Sequence, residues 1–150
     1  TASQIRWISA SRFSSLPGPL ALNPQELLTR IRIPLEQWNY SLYKKFTDPY
    51  AEYPNGNTSP ASSGGAIVFI VRIRKNILTD IRVVFAGETI LRDKNSETTL
   101  SGKQLPLERA DVRHFVQLWE TYLSAVDSPG PMMRSKMLNF IEACVMKLVD

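Results

Sequence analysis

Apolar and polar residues alternate most cleanly in two blocks near the middle of the chain. In AIVFIVRIRKN, Ala66 to Asn76, one face carries Ile67, Phe69, Val71 and Ile73, and the other carries Val68, Ile70, Arg72 and Arg74. In LTDIRVVFAG, Leu78 to Gly87, Ile81, Val83 and Phe85 alternate with Asp80, Arg82 and Val84. A period of two marks half-buried strands. A parallel crossover needs about a dozen residues, so the turn near Lys75 to Ile77 makes this pair an antiparallel hairpin, which Gly87 ends. YSLYKKF, Tyr40 to Phe46, is a third strand with Tyr40, Leu42, Lys44 and Phe46 on one side and Ser41, Tyr43 and Lys45 on the other.

The period changes to three and four toward the C-terminus. Val112, Phe115, Val116, Trp119, Tyr122, Leu123 and Val126 form the apolar stripe of a long helix opening at Pro106. DSPGP, Asp127 to Pro131, stops it. A last helix repeats the stripe with Met133, Met137, Phe140, Ile141, Cys144, Val145 and Leu148. A shorter helix is predicted over Ser96 to Leu100, before the SGK break. The sum is an α+β domain: an antiparallel sheet of three to four strands packed on a bundle of two to three helices.

Before Tyr40 the chain is heavily punctuated. Residues 1–22 contain SRFSSLPGPL and read as a loop or linker, with the main domain over 23–150. In LALNPQELLTRIRIP, Asn23, Pro24 and Glu26 suit an N-cap, first turn and capping-box acid, which predicts a brief helix near residues 24–30. Extended structure then runs from Arg30 to Ile33, since Pro34 biases its predecessor away from helix. TDPYAEYPNGNTSPASSGG, Thr47 to Gly65, is rich in turn formers and reads as a long exposed loop.

Composition narrows the chemistry. The 150 residues fit one domain, and a hydrophobic content of 43% with 21% charged residues is ordinary for a globular protein. The net charge of +4 is mild and its basic residues are interspersed with acids, which argues against nucleic acid as a partner. No apolar run approaches the roughly 20 residues of a membrane helix, and no signal-peptide core is present, so a cytoplasmic location without membrane attachment is expected. One cysteine excludes an internal disulfide and a thiolate metal cluster held by this chain alone. Cys144 falls on an apolar helix stripe and reads as an inert core thiol. His114, the one histidine, reads as a solvated helix residue rather than a catalytic base. Neither GxxxxGK(S/T) nor GxGxxG occurs, so no motif here cradles a phosphate. The two sequon matches, at Asn39 and Asn57, carry no weight without a secretion signal.

Four strings, in order, resemble the C-terminal domain of the FAD-binding subunit of the molybdenum hydroxylases, the family of xanthine, nicotinate and aerobic carbon monoxide dehydrogenases and aldehyde oxidase. SRFSSLPGPLALNPQELLTRIRIP is similar to the family's passage from a serine/phenylalanine segment and Pro-Gly into L-x-P-x-E-I/L-L-x-x-I-x-I/L-P. SLYKKF resembles its strand ending in Phe/Tyr-Lys. DIRVVFAGETILRDKNSETTLSGKQLP resembles its strand, glycine and R-A-x-x-x-E-x-x-L-x-G-K-x-L run. SPGPMMRSKMLNFIEACVMKL is similar to its closing loop, basic pair and terminal helix.

The resemblance implies an electron-transfer role. The upstream FAD-binding domain would hold the cofactor's diphosphate, while this domain closes over the flavin as electrons pass from iron-sulfur clusters to NAD or oxygen. The implied partners are that domain, a molybdopterin-binding subunit and an iron-sulfur subunit. The resemblance makes residues 1–22 the tail of the upstream flavin-binding domain and 23–150 the C-terminal domain, so the chain is expected to be a fragment or a stand-alone version of that domain, non-catalytic by itself. Leu28, in QELL, matches a leucine that packs on the isoalloxazine ring. Lys44, in LYKKF, matches a lysine whose charge would stabilise the reduced ring, and Lys45 takes that place if the register slips by one. Ordinary alternatives are a buried helix leucine and a solvated strand lysine.

The sequence departs from the family at two places. Where many members carry an arginine-containing stretch and an acidic motif, this chain has TDPYAEYPNGNTSPASSGGAIV, without arginine and with Ser63-Gly64-Gly65 at the acidic position. Met133-Arg134-Ser135-Lys136 replaces an aromatic followed by two arginines. These departures keep open a degenerate binding or assembly module that has the fold without redox work. A small basic nucleic-acid binder is a third, weaker reading.

Overall fold

A computed structural model describes residues 5–8, 25–32, 37–46, 64–87, 89–127 and 129–149. The chain divides into two compact units, Thr1–Glu36 and Gln37–Asp150, described separately. The second contains strands β1 (Tyr40–Phe46), β2 (Gly65–Arg74), β3 (Ile77–Ala86) and β4 (Ile90–Leu91), followed by helices α1 (Lys94–Leu100), α2 (Arg109–Ser124) and α3 (Pro131–Met146). The strands form one antiparallel sheet in the order β1-β2-β3-β4, so the α+β architecture read from the pattern is the observed one.

The hairpin between β2 and β3 turns through two residues, Lys75 and Asn76, at φ of 51° and 60°. Two left-handed residues are what a tight hairpin with matched strand twist requires, and asparagine tolerates that region better than lysine. Pairing then shifts: Arg72 faces Asp80 but Ile73 faces Leu78, which leaves Thr79 as the bulged residue. The Thr79 hydroxyl donates to the Arg72 carbonyl at 3.1 Å. The bulge resets the alternation, so Leu78 and Ile81, three apart, both point into the core.

All three helices lie on one side of the sheet. Inward-facing Ile67, Phe69, Val71, Leu78, Ile81, Val83 and Phe85 meet Leu100 of α1, Val112, Phe115, Trp119 and Leu123 of α2, and Met133, Met137, Ile141 and Val145 of α3 in one cluster. Gly65 starts β2 because the Phe85 ring lies across it; a Cβ there would sit 2.3 Å from the ring. On the opposite sheet face the Arg72 and Arg82 guanidinium groups lie 4.6 and 4.7 Å from the Trp38 ring, and Arg82 also pairs with Asp80 at 2.8 Å.

The far edge of β3 is closed by unlike parts. β4 pairs with Phe85 and Ala86. Further along, the buried Glu97 carboxylate of α1 accepts the Val83 N–H at 3.0 Å and grips Arg92 through bonds of 2.7 to 3.0 Å. Those bonds hold the Arg92 guanidinium even more firmly protonated than usual. The Leu78 amide donates to the Lys103 carbonyl, and the Gly102 amide donates to Leu78. Asp93 caps α1 by accepting the Asn95 and Ser96 amides.

Helix boundaries differ modestly from the sequence reading. α1 begins at Lys94 rather than Ser96 because Asp93 is its cap. α2 begins at Arg109, not Pro106: Leu107 is instead buried, its N–H donating to the Leu148 carbonyl. Glu108, in extended conformation, is the N-cap, its amide donating to Asp111 at 3.4 Å. The Arg134 guanidinium ties down the α2–α3 connection by donating to the carbonyls of Val126, Asp127 and Pro129.

In the first unit the predicted helix near residues 24–30 is not formed within the described residues: Gln25 lies in a turn and residues 26–32 have no regular pairing. Glu26 is engaged instead by Arg6, with one bond at 2.7 Å, and Arg32 stacks on Trp7 at 4.8 Å. A single helical turn has too few internal bonds to offset its nucleation cost. Asn23, Pro24, Ile33, Pro34 and the predicted loop from Thr47 through residue 63 lie outside the described residues.

Removing the Glu97 carboxylate strands both the Val83 amide and a partly buried guanidinium. Glu97→Ala is expected to lower unfolding free energy by about 3 kcal/mol in urea titration, whereas Arg134→Met costs about 1 to 2 kcal/mol.

Candidate functional site

β1 ends the sheet on the side opposite β4, and its inner face meets α3. Tyr40, Leu42, Lys44 and Phe46 share that face, as the alternation requires. Phe46 is buried and its ring stands edge-on to Phe140 of α3, with centroids 6.4 Å apart at 90°. The Lys44 ammonium lies 5.6 Å from the Phe46 centroid and 5.9 Å from that of Phe140. At the other end of the strand, the Lys147 ammonium lies 5.7 Å from the Tyr40 ring. β1 and α3 thus run antiparallel, forming a seam with an aromatic floor and a lysine near each end.

Each ammonium is attracted to the negative face of a ring, by about 0.5 to 1 kcal/mol at an exposed position. Among the described residues, neither Lys44, Lys45 nor Lys147 forms an ion pair; the pairs present are Arg6–Glu26, Arg82–Asp80, Arg92–Glu97 and Lys103–Asp111. Among the described residues the seam therefore carries positive charge that no ion pair neutralises.

Cys144 lies beneath it, buried as its helix stripe predicts. Burial pushes its thiol up to about 11, against the opposing pull of the Lys147 and Lys44 ammonium groups. Such a thiol is protonated at neutral pH and a poor nucleophile. His114 is exposed on α2, in line with a solvated helix residue. Among the described residues no group of three or more histidine, cysteine, aspartate or glutamate side chains could hold a metal ion, and no helix is long and apolar enough to cross a membrane.

The two residues singled out by sequence stand differently. Lys44 is exposed on the inner face of β1, over the rings, and Lys45 pairs across to Ala66 on the outer face. Leu28 belongs to the first unit and is 54% exposed in an irregular segment, so it is not the buried helix leucine of the ordinary alternative. Sequence reasoning missed Tyr40, Phe140 and Lys147 as parts of the seam. Phe140 and Lys147 are seven apart, two helical turns on one face, but their meeting with β1 is a tertiary contact.

The thiol makes a pH prediction. Because the folded state holds the Cys144 proton more tightly than the unfolded chain, that contribution is complete below pH 9 and is lost as pH rises toward about 11. Wild type should lose up to about 2 kcal/mol more than Cys144→Ala across that interval in paired denaturation curves. A thiol-reactive probe at pH 7.5 should label the native protein far more slowly than the protein in urea.

No protein-family model matches this chain, and no curated protein matches it.

Proposed function

We propose that this chain is the C-terminal domain of the FAD subunit of a molybdenum hydroxylase, helping enclose the flavin during electron transfer from iron-sulfur clusters to NAD or oxygen. The observation that carries the reading is Lys44: the lysine matched by the family resemblance is exposed on β1 over aromatic rings, with no carboxylate partner among the described residues. The α+β order of three main strands followed by helices supports it, together with the four matching strings.

In the second unit, the charge of Lys44 suits the ring end of the cofactor. FAD, when bound, supplies the electron exchange. An ammonium without an ion pair among the described residues favours negative charge on a reduced ring; in the first unit, Leu28 is exposed. The diphosphate end finds no glycine-rich phosphate motif in this sequence, so the proposed upstream domain supplies that grip. The proposed molybdopterin and iron-sulfur subunits belong to the same reading, as does a cytoplasmic location.

A second reading, a degenerate binding or assembly module with this fold, is favoured by one detail. Gly65, in the stretch where the family's acidic motif falls, is required by packing under Phe85 and brings no charge to the site.

FAD titrated into this chain alone should give weak binding or none by flavin fluorescence; tight stoichiometric binding contradicts the division of labour. In the complete subunit, Lys44→Met should make the flavin potential more negative with little change in melting temperature, since a charge that favours the reduced ring is lost. An unchanged potential excludes the role given to Lys44.

A further inference from the structure

The two edges of the sheet are treated differently. Along β3 the edge is taken up by β4, the Glu97 carboxylate and the carbonyl of Lys103. β1 is hydrogen-bonded to β2 alone among the described residues, although it is a full seven-residue strand. An unpaired edge of that length is a template for another strand, which natural sheets blunt with lysines or use for recognition.

Among the described residues, the charged side chains placed at this edge by the contacts above are lysines. Lys44 and Lys147 lie on the helix side of the strand and Lys45 on the other, and among the described residues none is ion-paired. From these two features we infer that β1 and its seam with α3 form a docking surface for an extended acidic segment of a partner protein. The segment adds to the sheet beside β1. Its backbone pairs with that edge, and carboxylates on alternate residues, which share one face, reach Lys44 and Lys147.

Charge also decides against a second copy of this chain as the occupant. Antiparallel pairing of β1 with itself brings two lysines from each copy into one seven-residue ladder, where like charges repel. The exposed Tyr43 ring, on the outer face next to Lys45, offers apolar contact to the residues between the acids.

The test uses the whole chain and fluorescein-labelled peptides of alternating glutamate and valine, with lysine-valine and proline-interrupted glutamate peptides as controls. Fluorescence anisotropy should show the glutamate peptide binding at least about tenfold more tightly than either control, with binding weakening as salt rises. Lys44→Glu/Lys147→Glu should remove at least about tenfold of that affinity while circular dichroism shows the fold retained, since both side chains are exposed. Amide hydrogen exchange should show protection gained in residues 40–46 on adding the glutamate peptide.

Equal binding of the glutamate and lysine peptides, binding that survives charge reversal, or no protection in β1 overturns the inference. Equal competition by a DNA duplex points to a general polyanion surface and overturns it as well, as does concentration-dependent dimerisation through β1 in sedimentation. The two readings use the Lys44 ammonium differently, paired with a partner carboxylate here and facing a flavin there, and the peptide titration and the flavin potential of the Lys44→Met subunit test them separately.

Discussion

The buried Glu97 carboxylate is the contact on which the arrangement of the second unit turns. Strand β3 has an edge amide, that of Val83, beyond the reach of the two-residue β4. A buried amide without an acceptor costs more than a typical hydrogen bond contributes, so an acceptor has to be brought to it. α1 brings it as a carboxylate, and that charge has to be neutralised in turn by Arg92 from the segment leading into the same helix. Once α1 is pinned against β3, α2 packs on α1 and α3 on α2, and α3 reaches β2 and the inner face of β1.

That chain of packing makes the β1–α3 seam the end product of the fold rather than a local motif. Its lysines occupy the margin where the buried core meets solvent, their stems along apolar surface and their charged heads over aromatic rings. The same margin explains Cys144. A thiol one layer below two ammonium groups would be activated if it were near the surface, but here burial outweighs their pull and leaves it protonated.

Among the described residues, the β1 edge without a second partner and the closed β3 edge reflect one constraint met in two ways. Backbone groups at a sheet edge are satisfied by protein or by water. On the β3 side, side-chain and loop acceptors leave little for another strand to engage. On the β1 side the strand carries Lys44 and Lys45 and, among the described residues, pairs with β2 alone. Gly65 shows a similar economy of space: a position that could carry a charged side chain instead makes room for the Phe85 ring that closes the core behind it.

Periodicity carried much of the second unit. The period-two blocks at 40–46, 66–76 and 78–87 and the three- and four-step stripes at 112–126 and 133–148 are set by which residues must leave water, and both backbone types repeat that requirement at a fixed interval. Tertiary structure decided the rest. Leu78 joins the core through a bulge at Thr79, β4 exists because β3 has an edge to fill, and Glu97 is buried because a strand amide and Arg92 meet it. The short helix near 24–30 shows the reverse case, a good capping pattern without enough helix to sustain it. Lys44 was visible in the sequence as a strand lysine on the apolar face, but its neighbours Phe140 and Lys147 lie about a hundred residues away, and only the packing of α3 beside β1 brings them together.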